Sequence, residues 1–297
     1  MMNRKSLDIL KEVYKPTKIT LKNKALLLDS TSGQFVLKEK KQDMRKLYDY
    51  LNSRSFSYYP SLIDDSREDI NVFSYAKESY APKEQKALDL IKMVALLHQK
   101  TSYYKDVTSD EFKKIYEELK NQIVYVRYYY ENLYEEYFQK VYPSPSEYFL
   151  LTHISKILAS LNYAEDTLEK WYESCENLNK YRVCQIHNNL SLDHVRENCL
   201  ISWDSSRKDT PVLDLIKFYK NCYFEINFEP VLSTYLKLNS LSPEEEQLLF
   251  LTLAIPPKVV LEDNELESVK NIRDTLDYIY KTESLIRPYN AVEEKQK

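Results

Sequence analysis

Apolar residues recur along this chain at two different spacings, and the change from one to the other comes near residue 80. In ITLKNKALLLDSTSGQFVLK, residues 19–38, two short apolar runs, Leu26–Asp29 and Gln34–Lys38, flank STSG. That pattern predicts two strands joined by a turn, with Gly33 where a hairpin wants positive φ. Met44, Leu47, Tyr48 and Leu51 then recur at helical spacing and predict a helix over about 42–52. Short β-like pieces follow, FSYYPSLID around Pro60 and INVFSYAKE from Ile70 to Glu78. These residues read as a small mixed lobe.

After Ala81–Pro82 the spacing becomes helical. A helix is predicted from Lys83 to Lys100, carrying Leu88, Ile91, Ala95, Leu96 and His98. From Ser109 to Tyr142, apolar or aromatic residues at Ile115, Leu119, Ile123, Val126, Tyr130, Leu133, Tyr137 and Val141 step by three and four, as on a long amphipathic helix. The PSPS of Pro143–Ser146 breaks it. A second helix is predicted to about Leu161, and a third from near Ala164 to Tyr181. In LSPEEEQLLFLTLAI, Ser242 is an N-cap, Pro243 takes the first helical position and Glu245 completes a capping box. Pro256 and Pro257 end that helix, and a last one runs from about Glu265 to Ile286. The expected organisation is α+β, with a lobe of antiparallel strands plus one helix over 1–78. A large, mainly helical lobe follows over 79–297, with a helical hairpin around 109–180.

Composition narrows the classes of function. Of 297 residues, 43% are hydrophobic and 30% charged, which fits a folded globular chain and not a disordered one. A net charge of −4 gives no global basic field, and the cluster Lys38, Lys40, Lys41 is too short to make one, so no nucleic-acid partner is expected. The tyrosines of VRYYYENLYEEYFQKVY are interleaved with glutamates, which suits packing of a helix face more than stacking on bases. MMNRKSLDILKEVYK holds no secretion signal and no apolar run reaches membrane-span length, so the expected compartment is the cytosol. Cys175, Cys184, Cys199 and Cys222 form no C-x-x-C pair and read as reduced, structural thiols, not a zinc site. Abundant Lys, Asn and Tyr carry the bias of an AT-rich genome. There is one glycine, Gly33. Without a glycine-rich phosphate loop, P-loop and dinucleotide-binding folds are excluded, and Asn and Asp are expected at the turns where glycine is usual.

The segment IHNNLSLDHVRENCLISWDSSRKDTPVLDL, from Ile186 to Leu215, carries the candidate chemistry. It resembles the aminoglycoside phosphotransferase and choline kinase group, with its protein-kinase-like bilobal fold, and within that group the bacterial spore-coat-associated kinase-like proteins. In that group the region reads H-G-D-x-x-x-x-N, a strand, I-D-W or I-D-F, then D-x-P-x-x-D-L. His187 matches the motif histidine, Ile201 and Trp203 flank the metal-ligand position, and Asp209, Pro211, Asp214 and Leu215 match the closing motif. Leu96–Leu97–His98 is similar to the group's L-x-x-L-H helix end. Phe35–Val36–Leu37–Lys38 is similar to the strand whose lysine contacts nucleotide phosphates. The resemblance covers most of the chain. It implies that His187 supports the loop through a backbone hydrogen bond and that Asp209 and Asp214 are structural.

The departures fall on the chemistry. Asn189 stands where the group has its catalytic Asp, His194 where an Asn holds magnesium, and Ser202 where an Asp bridges to the metal. Asn188 replaces the motif glycine, tolerable if the position is left-handed. An amide is no general base at neutral pH, and such a base is worth about 10²–10⁴ in rate. Magnesium favours hard oxygen ligands over an imidazole nitrogen, and Ser202 removes a negative charge from a reaction that depends on electrostatic positioning. Asp193 and Asp204 are possible substitutes, Asp204 by pointing the same way as Ser202 along a strand. The plainer role for Asp204 is a turn or cap before SSRKD. Lys38 has two readings, a solvated edge-strand lysine or a phosphate-facing one, with Asp43 and Glu39 as candidate acidic partners. His98 and His153 read as packing or surface residues.

The favoured reading is a pseudokinase that binds protein partners, with a spore-coat setting implied by the resemblance. The alternatives are an active kinase for a hydroxylated small molecule with rearranged ligands, using ATP and Mg²⁺, and a sensor that binds ATP without turnover.

Overall fold

The computed structural model describes residues 4–176 and 178–296. Its elements in chain order are α1 (Arg4–Tyr14), β1 (Lys18–Lys22), β2 (Ala25–Ser30), β3 (Gly33–Glu39), α2 (Met44–Ser53), β4 (Leu62–Asp64), β5 (Ile70–Ser74), α3 (Lys83–Thr101) and β6 (Tyr103–Asp106). There follow α4 (Ser109–Phe138), α5 (Pro145–Cys175), β7 (Lys180–Ile186), β8 (Arg207–Asp209), α6 (Val212–Cys222), α7 (Glu229–Leu238), α8 (Pro243–Ala254) and α9 (Glu265–Gln296). The chain divides into two compact units. The first holds the residues up to Tyr103 with Cys184–Phe218 and Lys237–Asn239; the second holds Tyr104–Val183, Tyr219–Leu236 and the residues from Ser240 onward.

The first unit is built on an antiparallel sheet of order β1-β2-β3-β5-β4. Successive side chains of a strand point to opposite faces, and here the two faces have different tasks. Leu28, Leu37, Ile70 and Val72, with Leu26 and Phe35, pack against Leu10 and Tyr14 of α1. The alternate positions, Ala25 and Leu27 of β2, Val36 and Lys38 of β3, and Phe73 of β5, line a cleft. Gly33 closes the β2–β3 turn at φ +134°, so the hairpin glycine is where the pattern placed it. Asn23 and Asn188 take left-handed positions, but so do Lys15, Ser55 and Ser202, so Asn and Asp are not the general replacement for glycine.

The periodicity did not predict α1 or β1. All five residues of β1 are exposed, which erases the two-residue alternation that would have marked it. Asp43 caps α2, accepting the Lys46 backbone N–H at 3.0 Å. The helix buries Met44, Tyr48 and Leu51.

In the second unit α4 and α5 run side by side. Phe112 packs on Trp171, the Tyr116 hydroxyl donates to Glu169 at 2.6 Å and Arg127 donates to Glu165 at 2.8 Å. Tyr130 and Tyr137 are buried whereas Tyr125 and Tyr128 are exposed. Two predicted helices after PSPS are one. Leu161, Ala164 and Leu168 are all buried at helical spacing, so the face continues through the expected break, and the helix ends at Cys175 because β7 begins at Lys180. Val141 lies past the end of α4 and is exposed. Ser242 and Glu245 form the capping box of α8, with Pro243 in its first turn. The last helix continues through Pro288. No helix of the described residues is long and apolar enough to cross a membrane.

Candidate functional site

The sheet's polar-bearing face and the segment Asn189–Ser205 enclose an open cleft of about 810 Å³, lined wholly by residues of the first unit. Its loop side is positioned from beneath by one buried carboxylate. Asp214, in the first turn of α6, is fully buried and accepts the backbone N–H groups of His187 at 2.8 Å and Asn188 at 2.7 Å. His98, at the end of α3 and also fully buried, donates Nε2–H to the same carboxylate at 3.1 Å. Burial alone would raise the Asp214 pKa, but His98 and the His187 ring and backbone N–H outweigh it and hold the carboxyl below its ordinary range. His98 is therefore neither a packing nor a surface residue. It orients the acid that shapes the loop, and the similarity of Leu96–Leu97–His98 to a known helix end was the signal for it.

His187 donates Nε2–H to the Ile201 carbonyl at 3.0 Å and lies against the Trp203 ring. Burial pushes its imidazole down to about 4, with His194 and Lys38 acting the same way and Asp214 opposing. Asn188 is left-handed at φ 56°, and its side chain donates to the Ser205 carbonyl at 3.1 Å. Lys217 donates to the Asn188 carbonyl at 2.7 Å. Beneath the loop, Gln185 donates to Ser206 at 2.7 Å, and Ser206 donates to the Ile186 carbonyl at 2.6 Å. Asp209 accepts from Thr210 N at 2.8 Å and from Arg207 at 2.9 Å, just ahead of α6. Sequence reasoning missed Gln185, Ser206 and Lys217, whose identities carry no spacing signature.

Asn189, His194 and Ser202 all line the cleft. The His194 Nδ1–H donates to the Asn189 carbonyl at 2.6 Å, tying the ring to its own loop, and burial lowers its pKa. Ser202 stands at φ 70°, and Trp203–Ser205 form a 3₁₀ turn. Asp204 lies in that turn and not on a strand in step with Ser202, and from the turn it lines the cleft.

There Asp204 forms an ion pair with Lys38, whose Nζ also lies 3.4 Å from Ser202 Oγ. Lys38 is thus a cleft residue and not a solvated edge lysine. The ion pair is made with Asp204 and not with either candidate acid: Asp43 caps α2, and Glu39, the next residue of β3, lines the same cleft, as does Tyr48 of α2. Burial and the Asp204 charge raise the Tyr48 pKa. Gln42 donates to the Trp203 carbonyl, and the Trp203 indole donates to the Leu200 carbonyl at 2.7 Å. Asp193 is an exposed member of the 3₁₀ turn Leu192–His194 at the cleft edge.

Among the described residues no group of three His, Cys, Asp or Glu side chains is placed to hold a metal ion. Magnesium requires several hard oxygen ligands in near-octahedral order. The donors at 189, 194 and 202 do not fit it, being an amide, an imidazole tied to its loop and a hydroxyl.

No family model and no curated protein sequence matches the chain. Solved structures do. An aminoglycoside phosphotransferase from Alicyclobacillus acidocaldarius aligns at TM-score 0.61 with 12% identity, over 94% of this chain and 93% of that one. The AMP-bound complex of the spectinomycin phosphotransferase APH(9)-Ia aligns at TM-score 0.58 with 13% identity, over 95% and 98% of the two chains. The complex of that enzyme with ADP and spectinomycin aligns at TM-score 0.53 with 14% identity, over 95% and 99%. At such identities the likeness shows the fold: α+β and kinase-like, with a small antiparallel sheet in the N-terminal part and a helical C-terminal part.

Proposed function

We propose that this chain is a pseudokinase, a kinase-fold protein that transfers no phosphoryl group and works by binding, with the cleft as a ligand site and protein partners as what it serves. One observation carries the reading. The acid nearest the position of a metal-bridging carboxylate, Asp204, is engaged by Lys38, while Asn189, His194 and Ser202 present neither the carboxylate base of the motif nor an anionic ligand to the same cleft. Loss of the base alone is worth about 10²–10⁴ in rate, and loss of metal bridging removes the electrostatic positioning on which phosphoryl transfer rests. The spore-coat setting is proposed on the motif resemblance alone.

The test is a transfer assay with ATP, Mg²⁺ or Mn²⁺ and a panel of sugars and amino alcohols, following ADP release. The expected rate equals that of buffer, for the natural chain and for Asn189→Asp. Turnover by the natural chain overturns the proposal. The position of Asp204 inside the cleft favours a second reading, an active small-molecule kinase with rearranged ligands. Under that reading the natural chain turns over and Asp204→Asn abolishes it.

A further inference from the structure

The charge balance of the cleft names a class of ligand, given the reading above that the cleft binds without transfer. Six basic side chains line it: Lys22, Lys24, Lys38, Lys41, Lys86 and Arg196. Four carboxylates face them, Glu39, Glu78, Asp193 and Asp204, which leaves an excess of two positive charges in a chain of net charge −4. Two of these acids are engaged by lysines of the sheet, Glu78 by Lys22 and Asp204 by Lys38. A divalent ion entering here would have to separate Lys38 from Asp204, shed water reluctantly and sit within a positive field. A phosphate chain meets the opposite situation, because lysine ammonium groups are good point-charge partners for it.

The rest of the lining mixes polar and apolar side chains, and the apolar ones come from two sides. Ala25, Leu27, Val36 and Phe73 come from one face of the sheet, and Leu192 and Ile201 come from the loop side. Apolar side chains on two sides of the cleft can cover a heteroaromatic ring, and the lysines line the same cleft. We propose that the cleft binds a nucleoside polyphosphate free of divalent metal, its lysines neutralising the phosphates in place of an ion. Chelation removes negative charge from the ligand, so magnesium weakens binding and acts as an antagonist of the site.

The experiment is calorimetric titration of the full chain with ATP, at matched ionic strength, in EDTA and in excess Mg²⁺. Binding is expected to be about tenfold tighter in EDTA, and the double variant Lys24→Gln/Lys41→Gln should lose most of that difference. Equal or tighter binding with Mg²⁺ overturns the proposal. Tripolyphosphate should bind more weakly than ATP, and equal affinity would remove the nucleoside from it. If neither ligand binds in EDTA, the metal-free ligand is refuted while the non-transferring reading, which rests on the transfer assay, stands. Transfer in that assay together with tighter binding in EDTA would uphold the metal-free ligand and overturn the non-transferring reading.

Discussion

Lys38 of β3 is ion-paired to Asp204, two residues beyond Ser202, and the two side chains keep only 19% and 16% of their exposure. The pairing follows from one backbone feature. Ser202 is left-handed, and the 3₁₀ turn after it carries Asp204 to its contact with Lys38 of the sheet. A mostly buried pair is costly to break from one side, because the surviving charge keeps its desolvation and loses its partner. The cleft is open to water, which reduces that cost. Lys38→Met and Asp204→Asn should each destabilise the fold by about 1–3 kcal/mol, and the double variant should lose less than the sum. Urea denaturation of the four proteins measures this, and strictly additive losses would show that the pair does not contribute as a unit.

Asp214 should be the least replaceable polar residue of the site. It satisfies two loop N–H groups and His98 at no exposure. Asp214→Ala leaves these three donors buried without an acceptor, and a loss of about 3–5 kcal/mol is expected. Asp214→Asn turns one acceptor into a donor that faces another donor, so its cost should fall below that of Ala but stay above 1 kcal/mol, roughly. A denaturation midpoint unchanged in either variant would contradict the proposed anchoring.

The buried imidazole of His187 makes stability depend on pH in a stated direction. Its pKa is lowered from 6.5 to about 4, first by burial. Between those values the unfolded chain takes up a proton that the native chain refuses, so stability is fully present above pH 6.5 and declines as pH falls toward 4. A gap of about 2.5 units corresponds to roughly 3 kcal/mol. His194, also lowered, adds in the same direction. Asp214, lowered from 3.8, loses its contribution only at still lower pH. His187→Gln keeps a donor for the Ile201 carbonyl and cannot titrate. The slope of unfolding free energy against pH between 6.5 and 4 should flatten by about one proton, and an unaltered slope would count against a neutral, buried His187.

The sequence disclosed most where a local rule was sufficient. Ser242, Pro243 and Glu245 predicted a helix start from hydrogen bonds made within four residues, and the order of motifs around His187 and Asp214 predicted the fold. It disclosed least where a residue's meaning is set across the chain. His98 looked like one more helix-face residue because its acid lies 116 positions away. Asp204 read most plainly as a turn residue, and its place in the cleft stayed hidden because no rule announces a left-handed serine before it. Asn188 was the easier case, since an Asn in a glycine's place already suggests positive φ. β1 was missed because exposure on both sides leaves no apolar alternation to read.

Restoring oxygen ligands to the cleft tests whether those positions alone exclude the metal. Ser202 at φ 70° can become Asp, since Asp tolerates left-handed geometry better than most residues. With Ser202 Oγ 3.4 Å from Lys38 Nζ, the new carboxylate competes with Asp204 for the lysine. Ser202→Asp alone should then be drawn into the existing ion pair and bind no metal. The triple variant Asn189→Asp/His194→Asn/Ser202→Asp adds an oxygen donor in place of the imidazole and a second free carboxylate, enough to begin an octahedral site. Electron paramagnetic resonance with Mn²⁺ in the absence of nucleotide should report bound manganese for the triple variant and none for the natural chain or the single variant. Manganese held equally by the natural chain would mean that Asp193 and Asp204 already form a metal site, and that the amide, imidazole and hydroxyl of this cleft do not define its chemistry.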